Sequence, residues 1–159
     1  MSWELAEYMK CLSVSQPYAD LIINGKKTIE LRTWNTKFRG ECLIHAPIKI
    51  KDEACKRLGI DKSSLRTGVI IGKVEVYDVK SYSSLDDLKK DHDKHHFDED
   101  VFHHRYGFLL RKPQALRVPI PYKGSLGFFE AKMQSKQSKN EIKSELFDEE
   151  YRYQWIGKH

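Results

Sequence analysis

The sequence predicts an α+β domain: a small, strongly bent sheet or barrel of five or six strands with flanking helices, followed by a helical tail. Three observations lead there. Short apolar runs rich in β-branched residues recur across residues 11–131, separated by Gly, Pro and Ser turn signals. Helical spacing is confined to brief stretches near 15–24, 51–58 and 84–90. Past residue 131 the composition changes to the polar run KMQSKQSKN and then to one amphipathic stripe.

Residues 1–9 read as a short leader whose Trp3, Leu5 and Tyr8 can pack back on a domain spanning 10–131. Residues 11–14 are a first strand. Ser15 is placed to cap the next helix and Pro17 suits its first turn, where a missing N–H costs nothing. Tyr18, Leu21 and Ile22 share one helical face, and Gly25 ends the helix because a left-handed residue is cheap there. Residues 28–34 alternate: Ile29 and Leu31 point one way, Thr28, Glu30, Arg32 and Trp34 the other, toward solvent or a lined cleft. Residues 41–46 form a third strand and 51–58 a short helix. The long Val- and Ile-rich run 69–79 is the strongest strand, with Gly72 marking a bulge or a close backbone approach. Ser83 or Ser84 caps a helix through Leu85 and Leu88, residues 91–100 read as an irregular polar loop, and strands return at 106–110 and 126–131. Residues 114–122 are extended or turning around Pro119 and Pro121. In the tail, 132–159, the residues Ile142, Leu146, Phe147, Tyr151 and Trp155 trace a helical stripe that docks on the domain or on a protein partner.

Composition excludes several classes. The 159 residues carry a net charge of +5 and a mean hydropathy of −0.64, and no run approaches eighteen apolar residues, so no membrane span is expected. The opening MSWELAEYMK lacks the pattern of a secretory signal. Cys11, Cys42 and Cys55 are odd in number and lack C-x-x-C spacing, which points away from disulfides and thiolate zinc and toward an intracellular protein with Cys11 and Cys42 in its core. The histidines at 92, 95, 96, 103 and 104 do not form an H-E-x-x-H pattern, and neither metal nor cofactor is expected. No nucleophile elbow, P-loop or dinucleotide fingerprint occurs.

Charge is unevenly distributed. Seven acids lie between Asp86 and Asp100, whereas Arg105 to Lys139 holds eight Lys and Arg against Glu130 alone. Such a basic stretch attracts polyanions by counterion release. Arg105, Arg111, Lys112, Arg117 and Lys123 are the candidates to track a nucleic-acid backbone. The densest chemistry lies beside the first helix. Lys27 and Arg32 suit a phosphate or base edge, Glu30 suits orienting them, and Trp34 or Tyr18 suits stacking on an unpaired base. Gln16, beside the start of that helix, is a further candidate to read a base edge. His45 reads as a hydrogen-bonded structural histidine or as a base.

These residues resemble the ASCH domain family of the PUA-like superfamily. The match rests on LSVSQPYADLIINGKKTIELRTW, with a G-x-K-x-x-E-x-R signature at Gly25, Lys27, Glu30 and Arg32. It also rests on the turn and strand at 36–46, the valine-rich strand 69–79, and the closing segment 106–130 with its KGSLGFFE ending. The resemblance covers roughly residues 10–131. It implies a small β-barrel with flanking helices, a cleft beside the signature strand, and a role in RNA binding or RNA-linked regulation. Some relatives are coactivator-associated modules; others are amidohydrolases of acylated cytidine, or ribonucleases. The amidohydrolases use a Lys, a Thr three residues later and a separate Glu; Lys27 matches, but position 30 here is Glu. The leading expectation is thus an RNA-binding or single-stranded nucleic-acid-binding module whose cleft holds a nucleotide-like group. The alternative is a small hydrolase acting on a modified nucleoside or RNA, with Lys27 and Glu30 as its proton-transfer pair.

Overall fold

The computed structural model describes residues 5–135, so the tail stripe expected at 142–155 and Trp3 lie outside the described residues. In chain order the elements are β1 Leu5–Ser13, α1 Tyr18–Ile23, β2 Ile29–Arg32, β3 Gly40–Ala46, α2 Asp52–Leu58, a 3-10 turn Lys62–Ser64, β4 Val69–Ser81, α3 Leu85–Lys89, α4 His92–His95, β5 Tyr106–Pro121 and β6 Phe128–Ser135. The strands make one six-stranded sheet in the order β2-β5-β4-β3-β1-β6. Every neighbouring pair is antiparallel except β1 with β3, whose crossover contains α1 and β2.

The sheet is bent but does not close into the expected barrel. Among the described residues β2 and β6 are its two edges, with no ladder between them. Side chains bridge the seam instead. Arg32 Nη2 donates to Ser13 O at 2.6 Å. The Trp34 indole stands edge-on to Phe108 and Phe128, with ring centroids 5.2 and 5.7 Å away.

The main core lies between α1 and the sheet, where Ile22 and Ile23 pack with Ile71, Val74 and Phe108. All six residues of α1 are buried. Its start differs from expectation. Pro17 sits at the cap position without a side-chain cap bond, and Ser15 helps through its carbonyl, which accepts from Tyr18 N at 3.0 Å. The helix then ends at Gly25, whose φ is +83°. At Gly72 β4 shifts register, and a Cβ there would lie 2.4 Å from Gln114 O and 2.8 Å from Ile23 Cδ1. The glycine lets helix and neighbouring strand press onto β4. Cys11 and Cys42 are fully buried, and burial pushes both thiols well above the ordinary range.

Other expectations need correction or refinement. β1 begins at Leu5, ahead of the apolar run 11–14, because residues 5–10 find partners in β6. Tyr8 in that strand is 61 % exposed and does not pack back. Residues 106–121 form one long strand, so 114–121 take the extended of the two readings; register shifts against β4 absorb its irregularities. Of residues 91–100, the stretch 96–100 lacks a regular element, but α4 occupies 92–95 and buries His95 completely, with its Nε2 bonded to Leu88 O at 2.8 Å.

Candidate functional site

The Gly-Lys-Lys turn after α1 carries the chain into β2, and alternation along β2 sorts its side chains. Ile29 and Leu31 enter an apolar cluster with Tyr82 and Leu88. Glu30 and Arg32 face the opposite side, where a cavity of about 900 Å³ opens. Lys27 and Arg32 line it with Glu30 between them. Ser13 at the end of β1, His45 in β3, Tyr18 of α1, Phe97 and His104 beyond α4, and residues 122–127 complete the wall.

A buried charge chain forms its floor. Lys27 is 2 % exposed; its ammonium donates to Ile29 O at 2.6 Å and to His95 O at 2.8 Å, and lies 3.2 Å from Glu30 Oε1. Glu30 Oε2 accepts from Arg32 Nε at 3.0 Å and Nη2 at 2.7 Å. Burial pulls the Lys27 ammonium below its usual range, opposed by Glu30. For Glu30 burial acts upward, but Lys27 and Arg32 outweigh it and hold the carboxyl below its usual range. Two cations against one desolvated carboxylate give the reason.

A pH consequence follows. A carboxyl whose pKa is depressed by folding adds stability above its unfolded value and loses it as pH falls through the folded value. Urea midpoints should thus drop as the pH is lowered below the ordinary glutamate value of 4.5. A Glu30→Gln variant should start less stable and show a shallower drop; equal acid slopes in the two proteins would refute this account.

The predicted site residues divide. Tyr18, Lys27, Glu30 and Arg32 come together at the cavity. Lys27 commits its ammonium to two carbonyls and Glu30, and Glu30 is tied to both neighbours, so the pair acts as a brace. Arg32 keeps a free edge: among the described residues Nη1 makes no hydrogen bond. Trp34 is 36 % exposed and sits at the seam, outside the cavity lining. Gln16 is wholly buried. Its amide donates to Asp20 Oδ1 at 2.7 Å and Arg66 O at 3.0 Å, and its carbonyl accepts from Asp20 N.

The five basic candidates differ in their surroundings. Arg111 and Lys112 share Glu75, Arg105 lies over the Phe102 ring, and Arg117 is exposed farther along β5. Lys123 alone among them lines the cavity. In the histidine run the His92 ring lies 5.6 Å from His95 and 6.3 Å from His96, centroid to centroid. His92 pairs with Asp98, His104 with Glu99, and His96 Nε2 contacts Lys26 O. Among the described residues no group of three or more His, Cys, Asp or Glu is placed to hold a metal. No helix among them is long and apolar enough to cross a membrane.

Sequence reasoning missed Ser13, Lys51, Phe97, His104 and the 124–127 loop as lining residues. The Gly-Ser-Leu-Gly text after Lys123 was the one local signal; the pairing of β1 with β3 sets Ser13 beside His45, and Lys51, Phe97 and His104 come from segments outside the sheet.

A six-stranded sheet of this order carrying a G-x-K-x-x-E-x-R strand defines a class, and the comparisons name it. The ASCH domain model matches residues 12–155, and the chain belongs to that family. The crystal structure of ASCH from Zymomonas mobilis superposes with a TM-score of 0.58 at 16 % identity, covering 88 % of this chain and 96 % of that one. A tyrosine-to-phenylalanine variant of the same protein gives 0.56 at 15 % identity, covering 87 % and 98 %. In sequence, the human and mouse proteins called activating signal cointegrator 1 are 29 % and 28 % identical over 131 residues, 72 % of this chain. The aligned part is 21 % of each, so the chain spans about a fifth of these relatives.

Proposed function

We propose that this chain is an RNA-binding module whose cavity receives an unstacked nucleotide of single-stranded RNA. The supporting observation is the combination of aromatic walls and positive charge in one opening. Tyr18, Phe97 and Tyr122 line it, and Lys27, Arg32, Lys51 and Lys123 stand against Glu30 as the one carboxylate. Its volume of about 900 Å³ lies within the range of ligand pockets, roughly 300–1,000 Å³. Aromatic faces stack any base, and cations meet its phosphate. Lys27 and Glu30 aim Arg32, whose Nη1 is left for the ligand. The occurrence of the domain as one fifth of a protein named a signal cointegrator fits a binding module working inside larger assemblies.

Lys51 and Lys123 are exposed at the cavity rim, so reversing their charge leaves the floor intact. A Lys51→Glu/Lys123→Glu variant should lower affinity for a fluorescent single-stranded RNA by more than about tenfold at moderate salt and reduce the salt slope by about two. Wild-type affinity and slope in that variant would overturn the assignment. Equal binding of duplex DNA would remove the unstacked-base part of it.

A further inference from the structure

We propose that Ser13 and His45 form a nucleophile–base pair in this cavity, and that the chain cleaves carboxylic esters bearing an anionic group. This goes beyond RNA binding and does not depend on it. Both side chains line the cavity, on neighbouring parallel strands whose register sets Ser13 directly opposite His45. His45 is 2 % exposed, and its Nε2 lies 2.7 Å from Tyr122 O. A carbonyl only accepts, so Nε2 carries a proton, and the tautomer that this selects has Nδ1 as its acceptor. Ser13 Oγ is 3.4 Å from that Nδ1. Such spacing is common for a nucleophile and its base before substrate binds. The Tyr122 carbonyl takes the place of the orienting carboxylate in a serine triad.

The surroundings hold this pair in place. A Cβ on Gly124 would lie 2.4 Å from His45 Nδ1, so only glycine lets the loop clamp the ring, and Phe129 stands edge-on at 6.0 Å. Ser13 N donates to Gly127 O at 3.2 Å and Ser13 O accepts from Arg32 Nη2, which fixes the backbone of the nucleophile. At rest the Ser13 hydroxyl donates to Ser125 O at 2.6 Å; a turn of the O–H alone redirects the proton to Nδ1. Among the described residues the N–H groups of Gly124, Ser125 and Leu126 donate to no other protein group, and they border the same space. They are available to a developing oxyanion. The cations Arg32, Lys51 and Lys123 select esters with a negative charge.

In the first step Ser13 Oγ bonds to the ester carbonyl carbon as its proton passes to His45 Nδ1. The carbon–oxygen bond to the alcohol then breaks, and the alcohol leaves with that proton. In the second step water adds to the acyl carbon, His45 takes its proton and returns it to Ser13 Oγ, and the carboxylic acid departs. No oxidant, reductant or metal is required.

The test uses the full chain and a fluorophosphonate, which loses fluoride on forming a bond to an activated serine. Intact-mass measurement and peptide mapping should show one adduct at Ser13, absent from Ser13→Ala and formed about a hundredfold more slowly in His45→Gln. Hydrolysis of mono-p-nitrophenyl succinate, an anionic ester, should show a burst of one p-nitrophenol per chain and run faster than hydrolysis of neutral p-nitrophenyl acetate; equal rates on the two esters would overturn the anionic preference. Gly124→Ala, which displaces the ring without removing it, should slow labelling too and serves if His45→Gln fails to fold. Wild-type protein labelled no faster than Ser13→Ala, an adduct elsewhere, or a labelling rate unchanged by both His45→Gln and Gly124→Ala would overturn the proposal. The RNA measurement on the rim lysines reads separately, so failure here leaves that reading standing.

Discussion

Replacing Lys27 by methionine is expected to destabilise the domain by about 3–5 kcal/mol, read as a fall in urea midpoint at constant denaturant slope. The size comes from what remains behind. The methionine matches the lysine stem in volume, so packing changes little, but Ile29 O and His95 O lose their donor and Glu30 keeps a charge opposed by Arg32 alone. Removing one member of a buried pair costs more than the pair itself contributes, because the partner's desolvation is no longer compensated. The double variant Lys27→Met/Glu30→Gln should therefore recover part of the loss. Its amide oxygen still accepts from Arg32 without bringing a buried charge. A double-mutant cycle isolates the coupling. If Lys27→Met cost under about 1 kcal/mol, the lysine would be a solvated turn residue and the brace would not exist. Nucleotide binding should suffer as well, since Arg32 takes its direction from Glu30 and Glu30 from Lys27.

Gly72→Ala is expected to be the other severe substitution, at about 1–3 kcal/mol or more. The added methyl would meet a backbone carbonyl, Gln114 O, at 2.4 Å and the tip of Ile23 at 2.8 Å. The isoleucine can rotate away, but the carbonyl belongs to β5 and moves only with the strand. Its φ is not in the left-handed region, so the penalty is one of space and not of backbone strain. Exposed Gly59 gives the contrast. A Cβ there meets nothing within 4 Å, while its φ of +66° marks a left-handed helix end. A smaller loss for Gly72→Ala than for Gly59→Ala in thermal unfolding would show that α1 and β5 do not press on β4 as described.

Much of the architecture was legible because local rules and tertiary demands agree. The alternation of 28–34 separates Ile29 and Leu31 from Glu30 and Arg32, and no strand pairing can place those two sets on one face. Gly25 at the end of α1, Ser84 capping α3 through a 3.1 Å bond from Asp87 N, and Gly72 as a close approach are similarly local statements. Where residues were misread, the missing information lay in partners distant in sequence. Residues 5–10 become strand through β6, more than a hundred positions away. His95 in a polar run is buried because Leu88 O and Lys27 satisfy its polar groups. Gln16 looked available to a ligand, yet Asp20 and Arg66 occupy its amide.

By itself the sequence determined the α+β class, the side of β2 that bears charge, and membership of a family recognisable from one short signature. These depend on periodicity and on residue type, both of which are properties of neighbouring positions along the chain. Only the tertiary structure decided that the Lys27 ammonium meets Ile29 O, His95 O and Glu30, that Trp34 packs edge-on to Phe108 and Phe128, and that Ser13 meets His45. Those depend on which strands lie side by side and on which carbonyls reach a given proton. Hydrogen-bond partners and desolvation are set by groups far apart in the chain, and no local pattern specifies them.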